Sequence, residues 1–300
     1  MDIQAYWLKQ IATLKVDKAR GNPAPHKPLL LLVILDLAEE NCLQQEILPL
    51  TGELAFRFCT YWTVVASRRS QKPDIRLPFH HLNSAGFWKP LTEEGKLSPD
   101  RKLTAFAKLD SSFLNCLCDE NFRNQARRLL VGKYFPSDEQ VGLCALLDIP
   151  VPSGSQILQE TAALEKASAA EKGREAKFRL KVIPAYDYTC ALTGYRLVTI
   201  TTGSIVDAAH IHRFANSRNN DPRNGIALSK NAHWLFDAGL WTLGDDYRVR
   251  VASTKFDESG DQGFLLKSLE GKRISLPKNP QAWPDPVHLA WHRTNRFQGL

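Results

Sequence analysis

Between Asp207 and Gly239 the chain changes character three times within 33 residues. GSIVDAAHI alternates as a strand does, the stretch through Asn224 is polar and rich in turn formers, and SKNAHWLFDAGL carries helical spacing closed by Gly239. The order strand, loop, strand or extended segment, helix admits few folds. It puts His210 at a strand end, Asn224 in the turn-forming DPRNG, and His233 and Asp237 four residues apart on one helix face. RLVTITTG, just upstream, reads as a further strand, and WTLGDDYRVRVAS reads as a hairpin turning at Gly244 and Asp245.

These residue types at these places suit phosphodiester hydrolysis, which needs a base to activate water, a cation to stabilise developing charge and a scaffold that fixes both. An imidazole with an ordinary pKa of about 6.5 can take a proton from water, which makes His210 the candidate base. The Asn224 amide can bridge backbone groups and hold the loop that orients it. His233 and Asp237 can share one divalent ion. Asp207 lies three residues before His210, on the opposite face of a regular strand, where it either reaches the metal behind the base or makes a structural hydrogen bond. His212 either binds phosphate or sits at the strand exit. Trp234, Phe236 and Cys190 read as core side chains. Residues 176–230 hold eight Lys or Arg against three acids, and Arg213, Arg218 and Arg223 are candidate phosphate contacts.

With DAAHIHRF, DPRNGIALSKNAHWLFDAGL and the preceding CALTG in view, the stretch from about Tyr186 to Val251 resembles the HNH endonuclease family with its ββα-metal fold. The resemblance implies His210 as base, Asn224 as positioning residue, His233 as the helical histidine, and one divalent ion per site, with Mg, Mn, Co and Ni not distinguished. Its metal ligands would be Asp207, His233 and Asp237. Two positions depart from the family pattern. Ala209 stands where many members place a metal-binding residue before the base, and Cys190 has no CxxC partner, which implies the zinc-free branch.

The remaining half has its own organisation. Residues Ile3 to Leu14 read as a helix, GNPAPHKP breaks it, and LLLLVILDLAEE resumes as a buried helix with Pro28 in its first turn. The prolines of KPDIRLPF call for extended or turn geometry. SDEQVGLCALLDI reads as a helix with Ser137 as N-cap, and residues Gln156 to Lys181 read as a connecting or dimer-forming helix. A formal charge of +7 and a pI of about 9.1 fit a polyanionic partner. Six cysteines without a CxxC pair fit reduced thiols and speak against zinc fingers. The apolar run Leu29 to Leu35 is too short to span a bilayer and the N-terminus lacks a signal pattern, so a soluble cytoplasmic protein without a membrane partner is expected.

PAPHKPLLLLVILDL and KPDIRLPFHHLNSAGFWKP are similar to the sulfur-binding domains of McrA-like type IV restriction enzymes, which recognise phosphorothioate-modified DNA and join that domain to an HNH domain. The resemblance implies a sulfur pocket at His26, Lys27, Leu77, Pro78 and His81, with Lys27, Leu77 and His81 replacing the family's Arg, Tyr and small residue. Arg68, Arg69 and Arg76 are candidate phosphate contacts beside it. The expectation is therefore an α+β protein with a mainly helical DNA-recognition domain at 1–150, a linker helix at 151–181 and a ββα-metal nuclease domain at 182–300. It would act as a modification-dependent restriction endonuclease on phosphorothioated double-stranded DNA. Because one HNH site cuts one strand, a homodimer is expected. The alternatives are an HNH endonuclease acting on unmodified or base-modified DNA, and a DNA-binding regulator with a degenerate nuclease site.

Overall fold

The computed structural model describes residues 2–17, 23–66, 72–151, 160–260 and 265–299, with side chains from residue 169 onward in the long helix at 160–185. The chain divides into two compact units, 1–176 with 199–203, and 177–198 with 204–300. The fold is α+β. Among the described residues no helix is long and apolar enough to cross a membrane.

The first unit comprises α1 (Ile3–Ala12), α2 (His26–Glu39), β1 (Ile47–Pro49), α3 (Gly52–Val65), α4 (Arg76–His81), β2 (Trp88–Leu91), β3 (Phe106–Leu109), α5 (Ser111–Leu117), α6 (Glu120–Tyr134), α7 (Ser137–Leu147) and the start of α8 (Glu160–Ala185). Seven consecutive apolar residues, Leu29–Leu35, give α2 no polar face, so it can only be central, and it packs against α3, α4 and α6. Burying each of those side chains contributes about 1.5–3 kcal/mol. Asp36 ends the run yet stays inside because Arg127 Nη2 meets its carboxylate at 2.8 Å and the Tyr61 hydroxyl donates to it. The three short strands form an antiparallel sheet in the order β1-β3-β2, with Leu48 opposite Ala107 and Trp88 opposite Leu109.

Two local expectations are corrected. The segment RLPFHH is helical, not extended: Pro78 sits in the first turn of α4, where a missing N–H costs no helical hydrogen bond. Ser137 is the first residue of α7, preceded by Pro136 as an N-cap with no side-chain bond.

The second unit begins with the last turns of α8, which runs past Lys181 to Ala185 and takes Pro184 into its end. The two-residue strands β4 (Val198–Thr199) and β5 (Gly203–Ser204) straddle the division at 199–203, and after them the second unit continues with an antiparallel pair, β6 (Val206–His210) and β7 (Gly225–Ser229). The loop between them carries α9 (Phe214–Ser217) and a single 3-10 turn at Pro222–Asn224. α10 (Lys230–Asp237) follows β7 directly, and Gly239, at φ 72°, turns the chain out of it. β8 (Trp241–Leu243) and β9 (Val249–Val251) make a hairpin whose loop spans residues 244–248, longer than a turn at Gly244-Asp245 alone. α11 (Pro286–Asn295) closes the unit.

The core of this unit joins α10 to α11. The Phe236 ring lies parallel to that of His292, with centroids 3.7 Å apart, and Trp241 donates its indole N–H to the Ala232 carbonyl at 3.1 Å. His292 is 2% exposed, bonds Thr242 Oγ1 through Nδ1 at 2.8 Å, and reaches the Phe236 carbonyl through Nε2 at 3.2 Å. Burial pushes its pKa down to about 4 from the ordinary 6.5. Between those values the unfolded chain takes up a proton that the folded chain refuses, so the stabilisation is complete above pH 6.5 and is lost as the pH falls towards 4. The gap corresponds to roughly 3 kcal/mol. We expect His292→Gln to remove most of that acid sensitivity in the transition of this unit, measured by urea unfolding at pH 7 and pH 4. Identical pH dependence in the variant and the parent would exclude His292 as its source.

Candidate active site

The β6–β7 register sets His210 opposite Gly225 and so brings the ends of the intervening loop together. Asn224, the last residue of that loop, is fully buried. Its Oδ1 accepts from the His212 N–H at 2.8 Å, and its Nδ2 donates to the carbonyls of His212 at 2.9 Å and Asn219 at 3.1 Å. The Ile211 N–H donates to the Asn224 carbonyl at 2.9 Å. One side chain thus satisfies three backbone groups that the irregular loop leaves without ladder partners.

His210 is half-buried. Its ring lies flat on Phe178 of α8, with centroids 3.9 Å apart and planes within 4°, and the tilted ring of Phe214 stands 5.7 Å away. Nε2 lies 2.9 Å from Asn220 Oδ1. Phe178 has room because Gly225 lacks a Cβ, which would stand 2.8 Å from Phe178 Cζ and 2.5 Å from Val182 Cγ2. Neither Phe178 nor Asn220 is apparent from sequence spacing. One comes from the far end of the connecting helix and the other from a run of loop asparagines.

The helical pair is close. His233 Nε2 lies 3.5 Å from Asp237 Oδ2, both partly exposed. Asp207 is not brought to them: its Oδ1 accepts from Arg179 Nη1 at 3.1 Å, so it meets the same helix that carries Phe178. Among the described residues no three His, Cys, Asp or Glu side chains come together as a metal cluster. Trp234, expected in the core, is 67% exposed, because the buried stripe of α10 runs through Ala232 and Phe236; Cys190 is buried. His212 stacks on Trp291 of α11 at 3.9 Å and 18°, and burial together with the nearby His288 lowers its pKa.

The arginines expected at phosphates are engaged within the unit. Arg223 Nη2 pairs with Asp285 Oδ2 at 2.8 Å, Arg213 Nη2 reaches the Asp237 carbonyl at 3.4 Å, and Arg218 lies over the Phe214 ring at 5.5 Å. Arg296, outside the sequence pattern, also donates to the Asp237 carbonyl.

In the first unit, the N-terminus of α2 and the α4 segment bring His26, Lys27, Leu77, Pro78 and His81 to the wall of one cavity of about 470 Å³, which Val16 and Ala24 also line. Lys27 Nζ donates to the Lys15 carbonyl at 2.9 Å and to Ser84 Oγ at 3.2 Å. Its pKa is lowered by burial and then by Lys15; that of His81 is lowered by burial, then by His80, Lys27 and Arg101. Arg76 pairs with Asp74 at 2.9 Å, and Arg68 and Arg69 lie outside the described residues.

Residues 190–244, which contain the strand-loop-strand-helix segment, match the HNH endonuclease family. A solved structure, "Modification dependent TagI restriction endonuclease", aligns with 20% identity over 40% of this chain and 37% of that one, at a TM-score of 0.30. No curated protein matches.

Removing the Asn224 amide strands the His212 N–H and the carbonyls of His212 and Asn219. A buried group left without its partner costs about 1–3 kcal/mol. We expect Asn224→Ala to destabilise the second unit by roughly 2–4 kcal/mol in denaturant titration. A loss under about 0.5 kcal/mol would mean that water replaces the amide.

Proposed function

We propose that the protein is a modification-dependent restriction endonuclease that binds phosphorothioated duplex DNA through its first unit and hydrolyses phosphodiester bonds through its second. The observation that carries the recognition half is the cavity. Five residues from two segments some fifty positions apart line it together, and they combine apolar walls at Leu77 and Pro78 with Lys27 and two imidazoles. Sulfur in place of a phosphate oxygen is larger and more weakly hydrated, so desolvation in an apolar cup favours it, while Lys27 meets the charge that both backbones carry. His81, held below its ordinary 6.5, is mainly neutral at physiological pH and gains charge on acidification.

For cleavage, His210 takes the proton of the attacking water, Asn224 holds the loop that positions it, and His233 with Asp237 supplies one nitrogen and one oxygen donor from a single helix face. That donor set fits a divalent ion, whose Lewis acidity would stabilise the charge developing on the phosphate. Asp207 serves better as the partner of Arg179 than as a ligand. Arg213, Arg218 and Arg223 lie on the loop between the two strands and reach phosphates only by giving up or sharing their present contacts. Cutting both strands calls for two such sites, hence a homodimer on double-stranded DNA.

Two measurements test this. With a divalent ion present, plasmid nicking should fall at least a hundredfold in His210→Ala while duplex affinity stays within about twofold, since proton abstraction and phosphate contact are separate. Undiminished nicking removes His210 as base. In the His210→Ala background, the full chain should bind a phosphorothioate duplex about tenfold more tightly than its unmodified twin, a difference of about 1.4 kcal/mol that Leu77→Asp should erase. Equal affinity of the parent for both duplexes at matched salt dismisses the sulfur reading and leaves the nuclease intact.

A further inference from the structure

We propose that Asn220 is a positioning residue for His210, fixing the imidazole in the tautomer whose proton is on Nε2 and whose lone pair is on Nδ1. The inference deepens the nuclease reading and rests on His210 being the base. An amide oxygen can only accept, so with Asn220 Oδ1 2.9 Å from Nε2 it is the ring nitrogen that donates. A neutral imidazole carries one N–H, and placing it on Nε2 makes Nδ1 the nitrogen that takes the proton from water.

Two other contacts make the arrangement specific. Phe178 lies against the ring face within 4° of parallel, which fixes the ring plane. Asn220 is itself held from both sides. Asn224 Nδ2 bonds the Asn219 carbonyl at 3.1 Å, Asn219 Oδ1 accepts from the Asp221 N–H at 2.8 Å, and the Asn224 N–H donates to the Asp221 carbonyl at 2.8 Å. Asn224 does not touch the His210 ring in any of these bonds, so its influence on the base passes through the 219–221 segment to Asn220. An amide orients the base without adding charge. A carboxylate in the same place would favour the imidazolium and raise the pKa of the base.

The test uses the full chain and three measurements. Steady-state cleavage by Asn220→Ala should show kcat lowered about ten- to a hundredfold with KM for DNA within about twofold, since a freed ring divides between tautomers and orientations. Asn220→Asp should recover kcat and move the acidic limb of the kcat/KM profile up by about one pH unit. Long-range ¹⁵N NMR on histidine-labelled protein, with His210 assigned by its absence in His210→Ala, should show the Nε2–H form in the parent and a mixture in Asn220→Ala. An Nδ1–H form in the parent, or an Asn220→Ala enzyme with parental kcat and pH profile, overturns the proposal. Should Asn220→Ala fail to fold, the profile of Asn220→Asp and the parental spectrum decide it. Cleavage that survives His210→Ala would refute the base assignment instead, and the spectrum would still report on the tautomer.

Discussion

The side-chain amide of Asn224 makes three hydrogen bonds inside the protein, and the geometry around His210 depends on them. The β6–β7 ladder ends at the His210–Gly225 pair, and beyond it the backbone must turn through a helical turn and a 3-10 turn before returning. A loop of this kind leaves polar groups that neither strand can satisfy. Placing one fully buried amide between His212 and Asn219 answers both sides of the loop at once and holds the strand end where the imidazole emerges. A shorter Ser could not span the gap, and an Asp would lose the two donated bonds.

The last turns of α8 complete the same site from the other side. Phe178 and Arg179 are adjacent in sequence, and they take the His210 ring and the Asp207 carboxylate respectively. The helix can lie this close because the position facing His210 is Gly225: a methyl there would meet Phe178 and Val182 well inside van der Waals contact. The glycine of NGIAL is thus required by packing, at an ordinary φ of −125°, and not by backbone conformation.

Much of this was legible in the sequence because it is local. The β6–loop–β7–α10 order follows from alternation, turn formers and helical spacing over adjacent residues, and Gly239 marks the helix end by its positive φ. The seven apolar residues of α2 could belong only to a central helix. What escaped is non-local. The sheet of the first unit is built from strands of three or four residues whose partners are up to sixty positions apart, too short to display a period. Trp234 looked like core because it is large and apolar; the stripe defined by Ala232 and Phe236 leaves it on the outer face. Asn220 and Phe178 carry no local mark of contact with His210, and Asp285, which pairs with Arg223, lies on a cap sixty residues downstream.

The ion pairs change how the basic composition should be understood. Read as a string, Arg76, Arg213 and Arg223 are cations awaiting phosphate. In the folded chain Arg76 and Arg223 face Asp74 and Asp285, while Arg213 faces the carbonyl end of α10. An arginine already on a carboxylate gains from a phosphate only the difference between two anions, and partly exposed pairs of this kind are worth little to begin with. On the proposed reading such side chains would still help register the protein on a duplex, because their field is screened over about 8–10 Å and not abolished. They contribute weakly to discrimination between one backbone and another. On that reading, discrimination falls to the apolar wall at Leu77 and Pro78 and to the half-buried Lys27, whose charged form burial already disfavours. A poorly hydrated anion is the kind that such a cation loses least by meeting, since less water must be stripped from both partners. On the proposed reading, that asymmetry, more than the net charge of +7, is what would connect the first unit to a chemically altered phosphate.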